Sequence, residues 1–265
     1  MRSERKERHV RAEQAGLRAD DAYGGRRPTG HERRAGQPWN ASYLDGPAPW
    51  DTGKPQPAIS RLADEGAFAG AVLDAGCGTG ENALHIASLG LHTVGVDVAE
   101  TAVSIAREKA AARGLDADFV VADAFHLEGL GLTFETALDC GLFHALDCDE
   151  RRDYVASLAS VTVRGGSLYV LCFSDVGPGA VGPHPVSQEE LRAVFERSTG
   201  WSVASIVPER LQTRFAAHGV PAWLARHSRP PPACRRRPGG RVHPSCPQGC
   251  RSPRRSPMRL AICVT

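Results

Sequence analysis

Long apolar runs are missing from this 265-residue chain: no stretch approaches the roughly 20 apolar residues that span a bilayer, so no membrane-spanning helix is expected. No apolar segment follows the charged start MRSERKERHV, so a secretory leader is not expected either, and cytoplasm is the expected compartment. Acid is absent from residues 226–265, which hold ten Arg. Aliphatic patterning is absent from residues 1–38, which hold ten Lys or Arg against six Asp or Glu. The overall charge of +2 therefore conceals the middle of the chain, where residues 39–225 carry 12 basic and 24 acidic side chains, a net charge of −12. A domain that acidic repels a phosphate backbone, which argues against nucleic acid as its substrate. A metal site is not expected. Cys77, Cys140, Cys148 and Cys172 lie in the acidic middle and read as buried or cleft thiols. In the tail, beside Cys234 and Cys263, the pair Cys246 and Cys250 with His243 nearby lacks the two-residue spacing of a zinc knuckle.

What is present is an alternation of strands and helices between two basic flanks. Residues 1–38 read as a disordered N-terminal extension, 39–226 as one domain, and 227–265 as an Arg/Pro/Cys-rich tail. Two readings of that tail are open: a disordered segment, or the product of a frameshift in GC-rich coding sequence. Within the domain, strands are expected at 70–75, 92–98, 117–123, 134–141, 165–173, 201–207 and 221–226, and helices at 81–89, 100–113, 149–161 and 188–197. This order implies an α/β fold, a Rossmann-like doubly wound sheet of seven strands, mostly parallel. In such sheets ligands sit beyond the carboxyl ends of the strands, where the strand order reverses.

The stretch VLDAGCGTGENAL, residues 72–84, places Gly76, Gly78 and Gly80 between a strand and a helix. A triphosphate loop needs GxxxxGK[ST], and no cation follows this turn. A dinucleotide turn needs GxGxxG, and the third glycine here comes one residue early, which weakens that reading. The pattern suits a zwitterionic nucleoside without pyrophosphate. Backbone N–H groups of the turn can meet a carboxylate, and Asp74 can help with an ammonium directly or through water. Asp97 can accept from both ribose hydroxyls, Asp123 from an adenine amino group, and the Ala124 N–H can donate to a ring nitrogen.

With VLDAGCGTGENAL, TVGVDVAETAVSIAREKA, FVVADAF and ETALDCGLFHAL in this order, the chain resembles the class I S-adenosylmethionine-dependent methyltransferases from about Trp39 to Arg226. The lead-in WNASYLDGPAPWDTGKPQPAI is similar to that of small-molecule methyltransferases of the thiopurine, tellurite-resistance and heterocycle-methylating kind. The resemblance implies that the last strand of the mostly parallel sheet is antiparallel. It also implies S-adenosyl-L-methionine as cofactor, bound by Gly76, Gly78, Asp97, Asp123 and Ala124, with Asp74, Gly80, Val98 and Cys140 beside it. It places Trp50 near the methionine end, where the alternative is a plain core aromatic. Ala99 stands where the family often has a capping Ser, a loss of about 1 kcal/mol of local stability. His144 is the candidate general base; the alternative is a histidine that fixes backbone. Phe143 and His184 are expected to line the acceptor site, and the Gly/Pro-rich segment 172–190 to cover it. No [ND]PP[YF] follows the fourth strand, no Pro-Cys pair suits cytosine attack, and no clustered acids suggest metal-assisted catechol chemistry. The expected activity is methyl transfer by in-line displacement to an O, N or S atom of a small aromatic, heterocyclic or thiol acceptor, with a monomer compatible with the sequence. The alternatives are a non-catalytic or decayed S-adenosylmethionine-binding protein and a nicotinamide dehydrogenase.

Overall fold

The protein's computed structural model describes residues 22–176 and 184–231. Seven strands, β1 (Val72–Ala75), β2 (Thr93–Asp97), β3 (Ala117–Val121), β4 (Phe134–Cys140), β5 (Thr162–Phe173), β6 (Ser202–Leu211) and β7 (Val220–Ser228), form one sheet in the order 3-2-1-4-5-7-6. β1 pairs in parallel with both β2 and β4, so the order reverses between them. β7 alone runs against its neighbours, β5 on one side and β6 on the other. The expected architecture is therefore observed, the single antiparallel strand included.

Successive residues of β1 face opposite sides of the sheet. Leu73 and Ala75 pack into the larger core with Val94, Phe134, Tyr154 and Trp201. Val72 packs on the other face with Ile59, Ile86 and Leu171. Helices α1 (Gly30–Ala35), α2 (Pro57–Asp64), α3 (Glu81–Ser88), α4 (Glu100–Arg113), α5 (Cys148–Val161) and α6 (Gln188–Val194) accompany the sheet. α5 starts on a capping box in which the Asp147 side chain accepts from Glu150 N–H and the Glu150 side chain accepts from Asp147 N–H. Several boundaries shift from expectation. α6 stops at Val194 because Phe195 leaves helical geometry, and β7 continues to Ser228, opposite Ser167 and Ser202.

Residues 22–38 correct the expectation of a structureless lead-in. Composition gives them no hydrophobic period, and polar contacts hold them instead. The Thr29 side chain caps α1, and the buried Glu32 carboxylate accepts from Arg26 Nη1 at 2.7 Å, Thr29 N–H at 2.8 Å and Trp39 N–H at 3.0 Å. Gly30 N–H donates to Glu150 Oε1 at 2.6 Å, docking α1 on the start of α5. Farther along, Thr101 N–H donates to Asn40 Oδ1, Gln56 N–H to Asn82 Oδ1, and Arg214 N–H to the Pro49 carbonyl. The tail from residue 232, with its four cysteines and both readings of its origin, lies outside the described residues.

Removing one partner of a buried ion pair strands the other, at a cost of about 3 kcal/mol. Glu32→Ala is expected to lower the thermal midpoint by several degrees and to open the Arg26–Arg27 bond to trypsin. Unchanged cleavage kinetics would mean that Glu32 does not hold the lead-in.

β7 also carries His227, fully buried, stacked on Phe195 at 3.8 Å, with neither ring nitrogen hydrogen-bonded. Burial lowers its pKa from the ordinary 6.5 to about 3. The unfolded chain therefore binds the proton first as pH falls. Stability that is complete above pH 6.5 drains away towards pH 3, at up to about 1.4 kcal/mol per pH unit. His227→Phe preserves the stack and removes the titration, so the fall in urea midpoint between pH 7 and pH 5 should be shallower than in the wild type. An equal fall would assign the acid sensitivity to other groups.

Candidate functional site

A cavity of about 330 Å³ opens at the carboxyl ends of the central strands, on the reversal between β1 and β4. Its floor is the turn after β1. Gly76, Gly78 and Gly80 all adopt left-handed φ values of +74°, +53° and +83°, which other L-residues adopt only at a cost. At Gly80 a Cβ would also lie 2.8 Å from the Phe119 ring and 2.9 Å from Ala106, so the turn is closed to side chains from below. At Gly78 a Cβ would come 3.1 Å from the Tyr43 hydroxyl on the cavity side.

Two carboxylates stand beside this turn. Asp97, at the end of β2, accepts from Gly78 N–H at 2.9 Å through Oδ2 and from Ala99 N–H at 2.9 Å through Oδ1. Burial raises its pKa against those hydrogen bonds and against nearby Arg26. Asp123, beyond β3, accepts from Phe125 N–H at 3.0 Å through Oδ1. Trp50, Gly76, Gly78, Gly80, Asp97, Val98, Asp123, Ala124, Cys140 and His144 all line the cavity. The acceptor-rich ends of two adjacent strands, a turn with bare glycine backbone at alternate positions and an aromatic wall fit a nucleoside that bears hydroxyl and amino donors together with a cationic centre.

Three expected residues lie elsewhere. Asp74 is buried beneath the turn, outside the cavity lining, and neither carboxylate oxygen has a hydrogen-bond partner. Burial and the neighbouring Asp139 push its pKa up to about 7; Ala83 N–H gives slight relief without reaching hydrogen-bond geometry. Phe143 points into the core, tilted against Phe195 and lying under the Arg151 guanidinium, because the short 3₁₀ turn Phe143–Ala145 directs successive side chains apart. His184 is outside the lining; its carbonyl accepts from Arg151 Nη2 at 3.1 Å. Residues 177–183 of the expected cover lie outside the described residues.

His144 does face the cavity, but its geometry does not match the expected base. Its Nδ1 accepts the Phe173 N–H at 3.2 Å, and the ring stacks on Phe173 at 3.9 Å. With that lone pair occupied, the neutral ring carries its proton on Nε2 and presents a donor. Burial, with Arg151 nearby, lowers its pKa to about 3, which keeps it neutral. The backbone-fixing alternative describes it better.

Asp139 accepts from Tyr154 Oη at 2.8 Å, and burial pushes it up to about 7. Burial raises the Cys77 and Cys140 thiols well above their usual range, which makes them poor nucleophiles. Among the described residues no three His, Cys, Asp or Glu side chains group to hold a metal ion, and no helix is long and apolar enough to cross a membrane.

The lead-in supplies lining residues that sequence reasoning missed: Arg26, His31, Trp39 and Tyr43. Trp50 Nε1 donates to Tyr43 Oη at 2.9 Å, Trp39 meets Trp50 edge-on at 5.6 Å, and His31 stacks on Trp39 at 4.3 Å. The one sequence signal for this wall was the clustering of three aromatic residues between 39 and 50.

Residues 72–166 match a family described as a methyltransferase domain. The chain is 40% identical over 166 residues to the 2-heptyl-1-hydroxyquinolin-4(1H)-one methyltransferase of Mycobacteroides abscessus, covering 62% of this chain and 72% of that protein. It is 31% identical over 176 residues to an Arabidopsis thaliana protein named "Probable thiol methyltransferase 2", covering 65% and 77%. Among solved structures, the one reported as "Conversion of a Disulfide Bond into a Thioacetal Group during Echinomycin Biosynthesis" is 39% identical, with a TM-score of 0.63 over 69% of this chain and 86% of that one. The order of the strands, the reversal under the glycine turn and these likenesses agree: the chain belongs to the S-adenosylmethionine-dependent methyltransferases.

Proposed function

We propose that the protein transfers a methyl group from S-adenosylmethionine to an oxygen, nitrogen or sulfur atom of a small aromatic, heterocyclic or thiol acceptor. The observation that carries this reading is one continuous cavity lined by two kinds of surface: Asp97, Asp123 and the glycine turn, and the rings of Trp39, Trp50, Phe173 and Phe215. The first offers hydrogen-bond acceptors and backbone N–H groups for a nucleoside and an amino acid moiety. The second offers flat apolar surface, which suits a planar acceptor. The relatives named for hydroxyquinolone and thiol methylation support the acceptor class.

When bound, the cofactor supplies a methyl group made electrophilic by a sulfonium. The chain's own work is then positioning. Asp97 would hold the ribose hydroxyls, Asp123 and the Ala124 N–H the adenine edge, and the turn's N–H groups the carboxylate. Asp74, unpartnered below the turn, would favour the ammonium through a water. Trp50, anchored by its hydrogen bond to Tyr43, offers a ring to a cationic centre. Alignment of the reactants can account for roughly 7–11 kcal/mol of the barrier. The lead-in excludes water from above. We further propose residues 39–226, extended by the contacts of 22–38, as the catalytic domain.

Asp97→Ala should weaken binding of S-adenosylhomocysteine at least tenfold by calorimetry, with Asp97→Asn intermediate because it retains one acceptor oxygen. Unchanged affinity would remove Asp97 from the site, and binding of NAD in place of S-adenosylhomocysteine would overturn the cofactor assignment.

A further inference from the structure

The occupied Nδ1 of His144 leaves the acceptor end of the cavity in need of another proton acceptor. Asp97 and Asp123 stand at the nucleoside end, and Asp51 accepts from Thr79 Oγ1 at 2.8 Å. Tyr154 donates to Asp139, and the Cys77 and Cys140 thiols are held protonated by burial. His31 remains. It lines the cavity, and its ring makes no hydrogen bond to any described residue. A face-to-face stack on Trp39, with 8° between the planes, fixes its orientation.

Resting on the methyl-transfer reading above, we propose that His31 is the proton acceptor for acceptors that arrive un-ionised, with His144 Nε2–H donating a hydrogen bond to the same acceptor. The acceptor's O–H or S–H bond breaks and its proton passes to a His31 ring nitrogen. The freed electron pair forms the bond to the methyl carbon, and the electrons of the old carbon–sulfur bond return to sulfur, leaving the thioether. The charged groups around His31 act on it in both directions, Arg34 favouring the neutral ring and Glu32 the protonated one. Arg34 and Glu32 face it from its own helix, His184 from the segment before α6, and His144 from the turn after β4; burial and then Arg34 lower its pKa. The arrangement favours acceptors with an ionisable hydroxyl or thiol on a flat ring.

His31→Phe preserves the stack on Trp39 and removes the nitrogens. Two acceptors separate the roles at pH 8: 4-nitrothiophenol, already ionised, and 4-methylphenol, not ionised. The expected result is transfer to the nitrothiophenol within threefold of wild type and transfer to the methylphenol at least a hundredfold slower, the scale of general-base catalysis. A readout without turnover is the visible band of 4-nitrophenolate on binding to the protein with S-adenosylhomocysteine. In the wild type the bound phenol should ionise at lower pH than in His31→Phe. Equal losses with both acceptors, or identical nitrophenol titrations, would reduce His31 to a support for Trp39 and overturn the proposal. If the wild-type protein binds S-adenosylhomocysteine but methylates neither acceptor nor binds nitrophenol, the small aromatic acceptor reading fails and this proposal falls with it.

Discussion

The Asp97 carboxylate accepts one backbone N–H from Gly78 and another from Ala99, and through those two bonds it ties the end of β2 to the turn after β1 and to the start of α4. Each bond to a charged acceptor is worth roughly 1.5–3 kcal/mol, enough to hold a turn that three left-handed glycines make conformationally permissive. α3 can begin where it does only because Gly80 takes that backbone path without a Cβ against Phe119. Without this anchor the reversal between β1 and β4 would leave an open crevice and no defined floor. The same carboxylate is then both part of the scaffold and part of the cavity lining.

Charge explains why the floor is built for a cation. Asp74 and Asp139 lie behind the turn with pKa values pushed up to about 7 by burial, and Asp97 is raised as well. Of the three only Asp74 has no hydrogen-bond partner, and a buried acid without one costs stability until something positive approaches or a proton arrives. A ligand with an ammonium and a sulfonium would relieve that cost and pull the acids towards ionisation, so its binding is linked to proton release. His144 and His227 respond to the same burial in the opposite sense and stay neutral.

The strands were legible because their burial is written in short apolar runs, and the cofactor acids because each follows such a run at a strand end. The antiparallel β7 needed the family resemblance; its own residues are apolar at six of nine positions and do not reveal direction. The lead-in was illegible for a physical reason. Arg26, Thr29 and Glu32 hold it by hydrogen bonds between charged and polar groups, and a Glu surrounded by Arg in sequence looks the same whether solvated or buried. Phe143 left the expected site because a 3₁₀ turn has no face that a two- or four-residue period would show: the aromatic ring went to the core while the imidazole of His144 kept to the cavity. Asp74 was placed on the right strand, but the alternation within β1 sent it below the turn.

These failures share a location. Apart from Trp50, every cofactor residue read from sequence sits on the sheet or the loop directly after a strand, where hydrophobic pattern fixes position. The acceptor side is assembled from segments outside that pattern: the aromatic lead-in, the turn after β4 and the end of β5. Trp39 and His31 come within 4.3 Å of each other because a capping box and a buried Glu set the path between them, not because of any repeat. A common sheet therefore accounts for a common methyl donor, while the acceptor is selected by a wall that can change without disturbing the sheet. In this chain that wall places one imidazole as donor, held by the Phe173 N–H, and a second, stacked on an indole, whose ring makes no hydrogen bond to a described residue. Two histidines of different hydrogen-bonding character in one cavity wall are the part of this site that the sheet does not dictate.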